Sequence, residues 1–99
     1  MGADGHTASF FPGGSRLAEA ISPETPRGII TMEAEGAGEP RLTFTFASLQ
    51  DARLLVLHIE GQGKKDVLDK ANAGSDETEM PIRAVLMRSV SIVDIYWAP

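Results

Sequence analysis

A layered α/β/α fold with a mainly parallel sheet is the architecture this sequence predicts, and three observations carry the prediction. Leu54-Leu55-Val56-Leu57-His58-Ile59 is a nearly continuous apolar run, the pattern of a strand covered on both faces. A Gly-rich turn, Gly61-Gln62-Gly63, then opens a helical pattern from Lys64 to Ala73, with Val67, Leu68 and Ala71 on one side and Lys65, Asp69 and Lys70 left to solvent. A final apolar segment, Ser89 to Trp97, carries Val90, Ile92, Val93 and Ile95. Strand, turn, helix and strand in that order give parallel strands joined by a crossover.

The remaining elements lie ahead of this unit. The chain opens on Met1-Gly2-Ala3-Asp4-Gly5-His6, a Gly-rich loop with no strand before it. Loops that carry chemistry normally follow a strand, so the sequence reads as beginning inside a domain. Turns are expected at Pro12-Gly13-Gly14, at Ser22-Pro23-Glu24-Thr25-Pro26, at 35–40 and at Gly74-Ser75-Asp76-Glu77, where Gly and Pro disfavour continued helix or strand. Between them, Arg16 to Ile21 fits one or two helical turns, and Gly28 to Glu33 fits a strand because Ile29, Ile30 and Thr31 are β-branched. Arg41 to Phe46 alternates, with Leu42, Phe44 and Phe46 on one face and Arg41, Thr43 and Thr45 on the other. Ala47 to Ala52 is a short helix, and Pro81 to Met87 a helical turn with proline at a permitted first position. Phe10, Phe11, Phe44 and Phe46 are expected in the core, as is His58, and at least one of Tyr96 and Trp97 should be buried.

Composition bounds the function. The chain has 99 residues, 42% of them hydrophobic and 23% charged, enough for one globular domain. It contains no cysteine, which rules out a disulfide framework, a thiolate zinc site and a cysteine nucleophile. The net charge of -5, without a basic stripe, argues against nucleic-acid binding. No apolar run approaches the roughly 18 residues of a membrane span, and the N-terminus lacks the basic start and apolar stretch of a signal peptide. A cytoplasmic location is the expectation.

Asp4-Gly5-His6 is the first candidate site. Neutral imidazole accepts a proton near pH 7, and a carboxylate two residues away can orient the ring while Gly5 lets the backbone turn. Spacing alone favours the plainer reading, an Asp-Gly turn with an exposed histidine. Lys64 stands where a Gly-rich turn opens a helix, a place that favours anions; Arg41 can supply a bidentate fork. Each also fits an ordinary solvated surface residue. The two histidines show no metal-ligand spacing.

The longer string Gly2-Ala3-Asp4-Gly5-His6-Thr7-Ala8-Ser9-Phe10-Phe11-Pro12-Gly13 resembles the signature block of the 6-phosphogluconolactonase family, Gly-x-Asp-Gly-His-Thr-Ala-Ser-x-Phe-Pro-Gly. Pro40-Arg41-Leu42-Thr43-Phe44-Thr45 is similar to that family's Arg-hydrophobic-Thr strand, Gly61-Gln62-Gly63-Lys64 to its Gly-x-x-Lys turn, and Val93-Asp94-Ile95-Tyr96-Trp97 to its final strand. The resemblance spans nearly the whole chain but only the C-terminal portion of the family's domain, so residues 1–99 are expected to form an incomplete part of it. It implies hydrolysis of 6-phosphoglucono-1,5-lactone to 6-phosphogluconate in the pentose phosphate pathway, without metal or other cofactor. His6 would be the general base and Asp4 its orienting partner; Gly5, Thr7, Ser9, Arg41 and Lys64 would contact the sugar-phosphate lactone. Thr7 and Ser9 are expected to hold the loop in shape, one hydroxyl touching substrate, rather than to act as nucleophiles.

Two alternatives accompany that expectation. The related glucosamine-6-phosphate deaminase/isomerase enzymes follow their Asp-Gly-His with a pattern that places Glu where Phe11 stands, and a phenyl ring cannot do acid–base work. A fragment lacking the N-terminal portion could instead be inactive by itself, with an incomplete sheet or an exposed apolar face that promotes self-association.

Overall fold

A computed structural model describes residues 1–99. The elements run α1 (Leu17–Ile21), β1 (Ile29–Met32), a 3-10 turn (Glu35–Ala37), β2 (Arg41–Phe44), α2 (Phe46–Leu49), β3 (Leu55–Glu60), α3 (Gln62–Asn72), α4 (Ile82–Arg88) and β4 (Val93–Ala98). The strands form two separate pairs. β3 and β4 are parallel, in the register Leu55 opposite Val93 through Glu60 opposite Ala98, and the crossover between them consists of α3 and α4. This is the strand–turn–helix–strand unit that the sequence pattern predicts. β1 and β2 form an antiparallel pair, Ile29 opposite Phe44 and Met32 opposite Arg41.

The main core lies between the helices and one face of each pair. Leu57 and Ile59 point inward from β3 towards Leu68 and Ala71 of α3. Phe10, Phe11 and Phe46 enter the same cluster, so the loop that follows the Asp-Gly-His segment is fastened by two buried rings. The Cα radius of gyration is 12.7 Å, close to the value of about 13 Å for a compact chain of 100 residues.

Several burial expectations are corrected. In β2 the face carrying threonines is the covered one: Thr43 is 5% exposed, whereas Leu42 and Phe44 are 71% and 54% exposed. The hydroxyls tolerate burial because each has partners. The Thr43 Oγ1 accepts from the Ser9 amide at 3.2 Å and donates to the Phe44 carbonyl, also at 3.2 Å. The Thr45 Oγ1 donates to the Pro26 carbonyl at 3.0 Å. Phe46 leaves the strand altogether and begins α2 as a fully buried residue. β3 is covered on one face only, leaving Val56 exposed. His58 therefore sits in solvent, 3.4 Å from Glu60. Neither Tyr96 nor Trp97 is buried; the Trp97 indole donates to the Gly61 carbonyl at 2.8 Å and takes Lys65 over its ring.

Arg83 is the one buried charge, at 4% exposure. Its guanidinium donates to the carbonyls of Lys70, Ala71 and Asp76, each at 3.0 Å. Two of these belong to the last turn of α3, where the helix dipole favours a cation. Arg83→Met keeps the apolar bulk and removes all three bonds. It is expected to cost about 3 kcal/mol, read as a fall in the urea midpoint with unchanged slope.

Candidate active site

The segment 2–11 folds into a tight loop whose backbone closes on itself. The Gly2 amide donates to the His6 carbonyl at 2.9 Å and the Gly5 amide to the Gly2 carbonyl at 3.0 Å. Gly5 adopts φ +83°, and a Cβ there would come within 2.9 Å of the Met80 side chain. Glycine is thus required twice over, by dihedral and by space. The Gly5 carbonyl accepts from the Ile82 amide at 2.8 Å, which fixes the loop to the start of α4. Farther on, the Ser9 amide is held by Thr43 of β2.

This backbone sets His6 against Asp4. The His6 Nδ1 lies 2.6 Å from the Asp4 Oδ1, which also accepts the His6 amide at 3.0 Å. An ionised carboxylate only accepts hydrogen bonds, so the contact assigns the ring proton to Nδ1 and leaves the Nε2 lone pair free. Burial raises the Asp4 pKa, but the hydrogen bonds from the His6 amide and ring, helped by the charge of the imidazole, outweigh it and hold the carboxyl below its ordinary value. Both side chains are partly exposed, so the pair is reachable from solvent. Gly2 leaves the space that the ring occupies: a Cβ there would fall 2.2 Å from the His6 Cε1 and 2.9 Å from the Asp4 Oδ1.

The other expected site residues are distributed around this pair. Arg41 reaches the neighbourhood through Phe11, its guanidinium carbon 5.9 Å from the ring centroid. It donates to the Ala37 carbonyl at 2.8 Å and approaches Glu39 at 4.0 Å. Lys64, in the first turn of α3, donates to the Met1 carbonyl at 2.6 Å and so comes to the head of the loop. It borders a recess of about 420 Å³ shared with Met1, His58, Ile59 and Glu60. Thr7 and Ser9 do not hold the loop through their hydroxyls; main-chain contacts do that, with Phe10 donating to the Thr7 carbonyl at 2.9 Å and the Thr43 hydroxyl gripping Ser9. Ala8 takes φ +49°, and its amide makes no hydrogen bond within the chain.

Phe11 is the residue that sequence reasoning left in the core without a further role. Its ring stacks on the His6 imidazole, centroids 4.3 Å apart and planes 26° from parallel. Its place five positions after His6 in the same short block was the available signal. No group of three or more His, Asp or Glu side chains is arranged to hold a metal ion, and no helix is long and apolar enough to cross a membrane.

Fold and loop together define an α/β protein that carries a carboxylate-oriented histidine on a glycine-rich turn. Residues 1–97 match the family model described as glucosamine-6-phosphate isomerases/6-phosphogluconolactonase, and the chain belongs to that family. A 6-phosphogluconolactonase of Rhizobium meliloti is 75% identical over 99 residues, which are 100% of this chain and 43% of the relative. One from Mesorhizobium japonicum is 48% identical over the same 99 residues, covering 41% of its length. The crystal structure of a 6-phosphogluconolactonase from Shewanella baltica superposes with a TM-score of 0.90 at 32% identity, covering 100% of this chain and 42% of that one. The chain thus spans about two fifths of the length of the relatives it matches, in keeping with the expectation that it corresponds to part of a larger family domain.

Proposed function

We propose that this chain carries the proton-transfer machinery for hydrolysis of 6-phosphoglucono-1,5-lactone. The observation that carries the reading is the 2.6 Å contact between Asp4 and His6, within a chain similar to proteins named for that activity. In this reading the free Nε2 of His6 takes a proton from water as its oxygen attacks the lactone carbonyl. Asp4 stabilises the imidazolium that forms. Negative charge then develops on the former carbonyl oxygen, and the uncommitted amide of Ala8, next but one to His6 in the turn, is a donor suited to it. Collapse of the tetrahedral intermediate breaks the ring C–O bond, and the imidazolium gives its proton to the departing ring oxygen, which leaves as a hydroxyl. An ester carbonyl is electrophilic enough for this without a metal.

The phosphate calls for fixed positive charge. Lys64, beside the amides of the first turn of α3, and Arg41 are the proposed contacts. Gly5, Thr7 and Ser9 complete the proposed substrate-binding set along the turn, Gly5 by shaping the turn against Met80 and Thr7 and Ser9 through their hydroxyls. Phe11 offers no acid or base, which disfavours a deaminase reaction. Sugar phosphates are charged and do not cross membranes unaided, so the reading places the chain in the cytoplasm.

A second reading concerns the chain alone. It spans about two fifths of its relatives, and it exposes Ile29, Leu42 and Phe44 on one face of the β1–β2 pair, with Ile92 just before β4 and Ile95 and Tyr96 within it also exposed. Such surfaces favour self-association, and a substrate cleft that in the longer relatives extends beyond the matched segment would be only partly formed by these 99 residues. We therefore propose weak activity for the isolated chain. One assay addresses both readings. Residues 1–99 are exchanged for the corresponding segment of the Rhizobium meliloti relative, and lactone hydrolysis is measured against the spontaneous rate. The exchanged protein is expected to stay within about 10-fold of its parent and the 99-residue chain to fall at least 10²-fold below it. An inactive but folded exchange protein would sink the first reading, and full activity of the isolated chain the second.

A further inference from the structure

We propose that Phe11 is a positioning residue for His6, fixing the direction in which the imidazole presents Nε2 and placing Arg41 on the same support. The inference rests on the reading of His6 as a base, and its evidence is geometric. A hydrogen bond from Nδ1 to Asp4 is a hinge: it sets one ring atom and leaves the plane free to swing about it. A flat neighbour removes that freedom. Phe11 supplies one, with its centroid 4.3 Å from the imidazole and the planes 26° apart, within the range of offset stacking.

The support is itself immobile. Phe11 is 3% exposed and belongs to the main core cluster, although the ring stacked on it reaches solvent. Its carbonyl accepts from the Gly14 amide at 2.9 Å, closing the turn that follows the loop. The 3-10 turn lies against the same assembly. A Cβ on Gly36 would sit 3.4 Å from the Asp4 Oδ2 and 3.9 Å from the Phe11 Cδ1, while the next residue, Ala37, gives its carbonyl to Arg41. Asp4, His6 and Arg41 are therefore all referred to one buried ring and one short turn. A side chain needed only to fill the core could be aliphatic; a planar one is needed to hold a planar base.

The test reads the imidazole directly, in the 99-residue chain and without substrate. His58, exposed and unstacked although opposite Tyr96 in the β3–β4 register, is the internal control. In the unmodified chain the His6 ring protons are expected to lie upfield of those of His58, shifted by the Phe11 ring current, and the His6 nitrogens to report a single tautomer protonated at Nδ1. Phe11→Leu, which keeps the position apolar, should abolish the upfield shift and let the ring swing about the Nδ1–Asp4 bond, with the proton still on Nδ1, while Phe11→Tyr should restore the shift and the fixed orientation. Amide shifts of β3 and β4 report whether each variant is folded. His6 ring shifts unchanged in a folded Phe11→Leu chain would overturn the proposal; so would the lack of an upfield shift in the unmodified chain, which needs no variant at all. In the segment-exchange enzyme, Phe11→Leu should lower kcat about 10-fold through His6, with a smaller rise in KM through Arg41, whose bond to the Ala37 carbonyl remains. If His6→Ala left that enzyme active, the base assignment would fail while the stacking result stood, so the two readings are separable.

Discussion

His6→Ala in the segment-exchange enzyme is expected to lower kcat for 6-phosphoglucono-1,5-lactone by about 10²–10⁴-fold, the range a positioned general base contributes. Among the side chains of the turn, the imidazole is the one whose chemistry suits proton acceptance near pH 7. Asp4, its neighbour, is held below its ordinary value and is a poor base near pH 7. Methyl replaces the ring with nothing that can take a proton, so water must attack unassisted. KM should change far less, because the proposed phosphate contacts, Arg41 and Lys64, are anchored through Ala37 and Met1 and not through His6. The ring does rest on Phe11, and its loss leaves a hollow open to solvent beside a buried residue. Folding should therefore survive, and equal thermal transitions for parent and variant would establish it. A variant that keeps more than a tenth of the parental kcat above the spontaneous rate would exclude His6 as the base.

The structure shows which parts of this site were written locally in the chain. Asp4 and His6 are two residues apart, so their contact follows from one turn of backbone, and the glycines that permit the turn are visible in the same string. The β3–α3 succession was likewise legible, because apolar continuity, a glycine turn and a helical period follow one another without interruption. Burial was not legible to the same degree. Alternation in 41–46 correctly separates Leu42 and Phe44 from Thr43, but period two says only which residues share a face. Which face is covered is a matter of long-range contact, such as the bond from the Ser9 amide, 34 residues away, to the Thr43 hydroxyl. The same holds for His58: an apolar run suggested cover on both sides, whereas the second side of β3 has no layer upon it. Lys64 reaches the head of the loop across 63 residues, a contact that neither propensity nor period encodes.

Asp4→Asn should have the second-largest effect, a loss of roughly 10²-fold in kcat with KM little changed. Asp4 Oδ1 accepts two donors from one residue, the His6 amide and ring. A carboxamide of the same shape can accept through its oxygen, but its other arm is a donor, and it carries no charge to balance an imidazolium. The ring then loses its reason to keep the proton on Nδ1, and a fraction of molecules presents a protonated Nε2, which cannot act as a base. The pH dependence of stability distinguishes this from a simple packing defect. The native pKa of Asp4 is depressed from its ordinary 3.8, so the charged form is favoured by folding. Its contribution is complete above the unfolded value and disappears as pH falls through the lower native one. The stability gap between parent and Asp4→Asn, measured by urea unfolding, should therefore be open at about pH 5 and close progressively below about pH 4. A gap that stayed open at low pH would assign the defect to lost packing, and a kcat within a factor of two of the parent would show that the carboxylate does not orient the base.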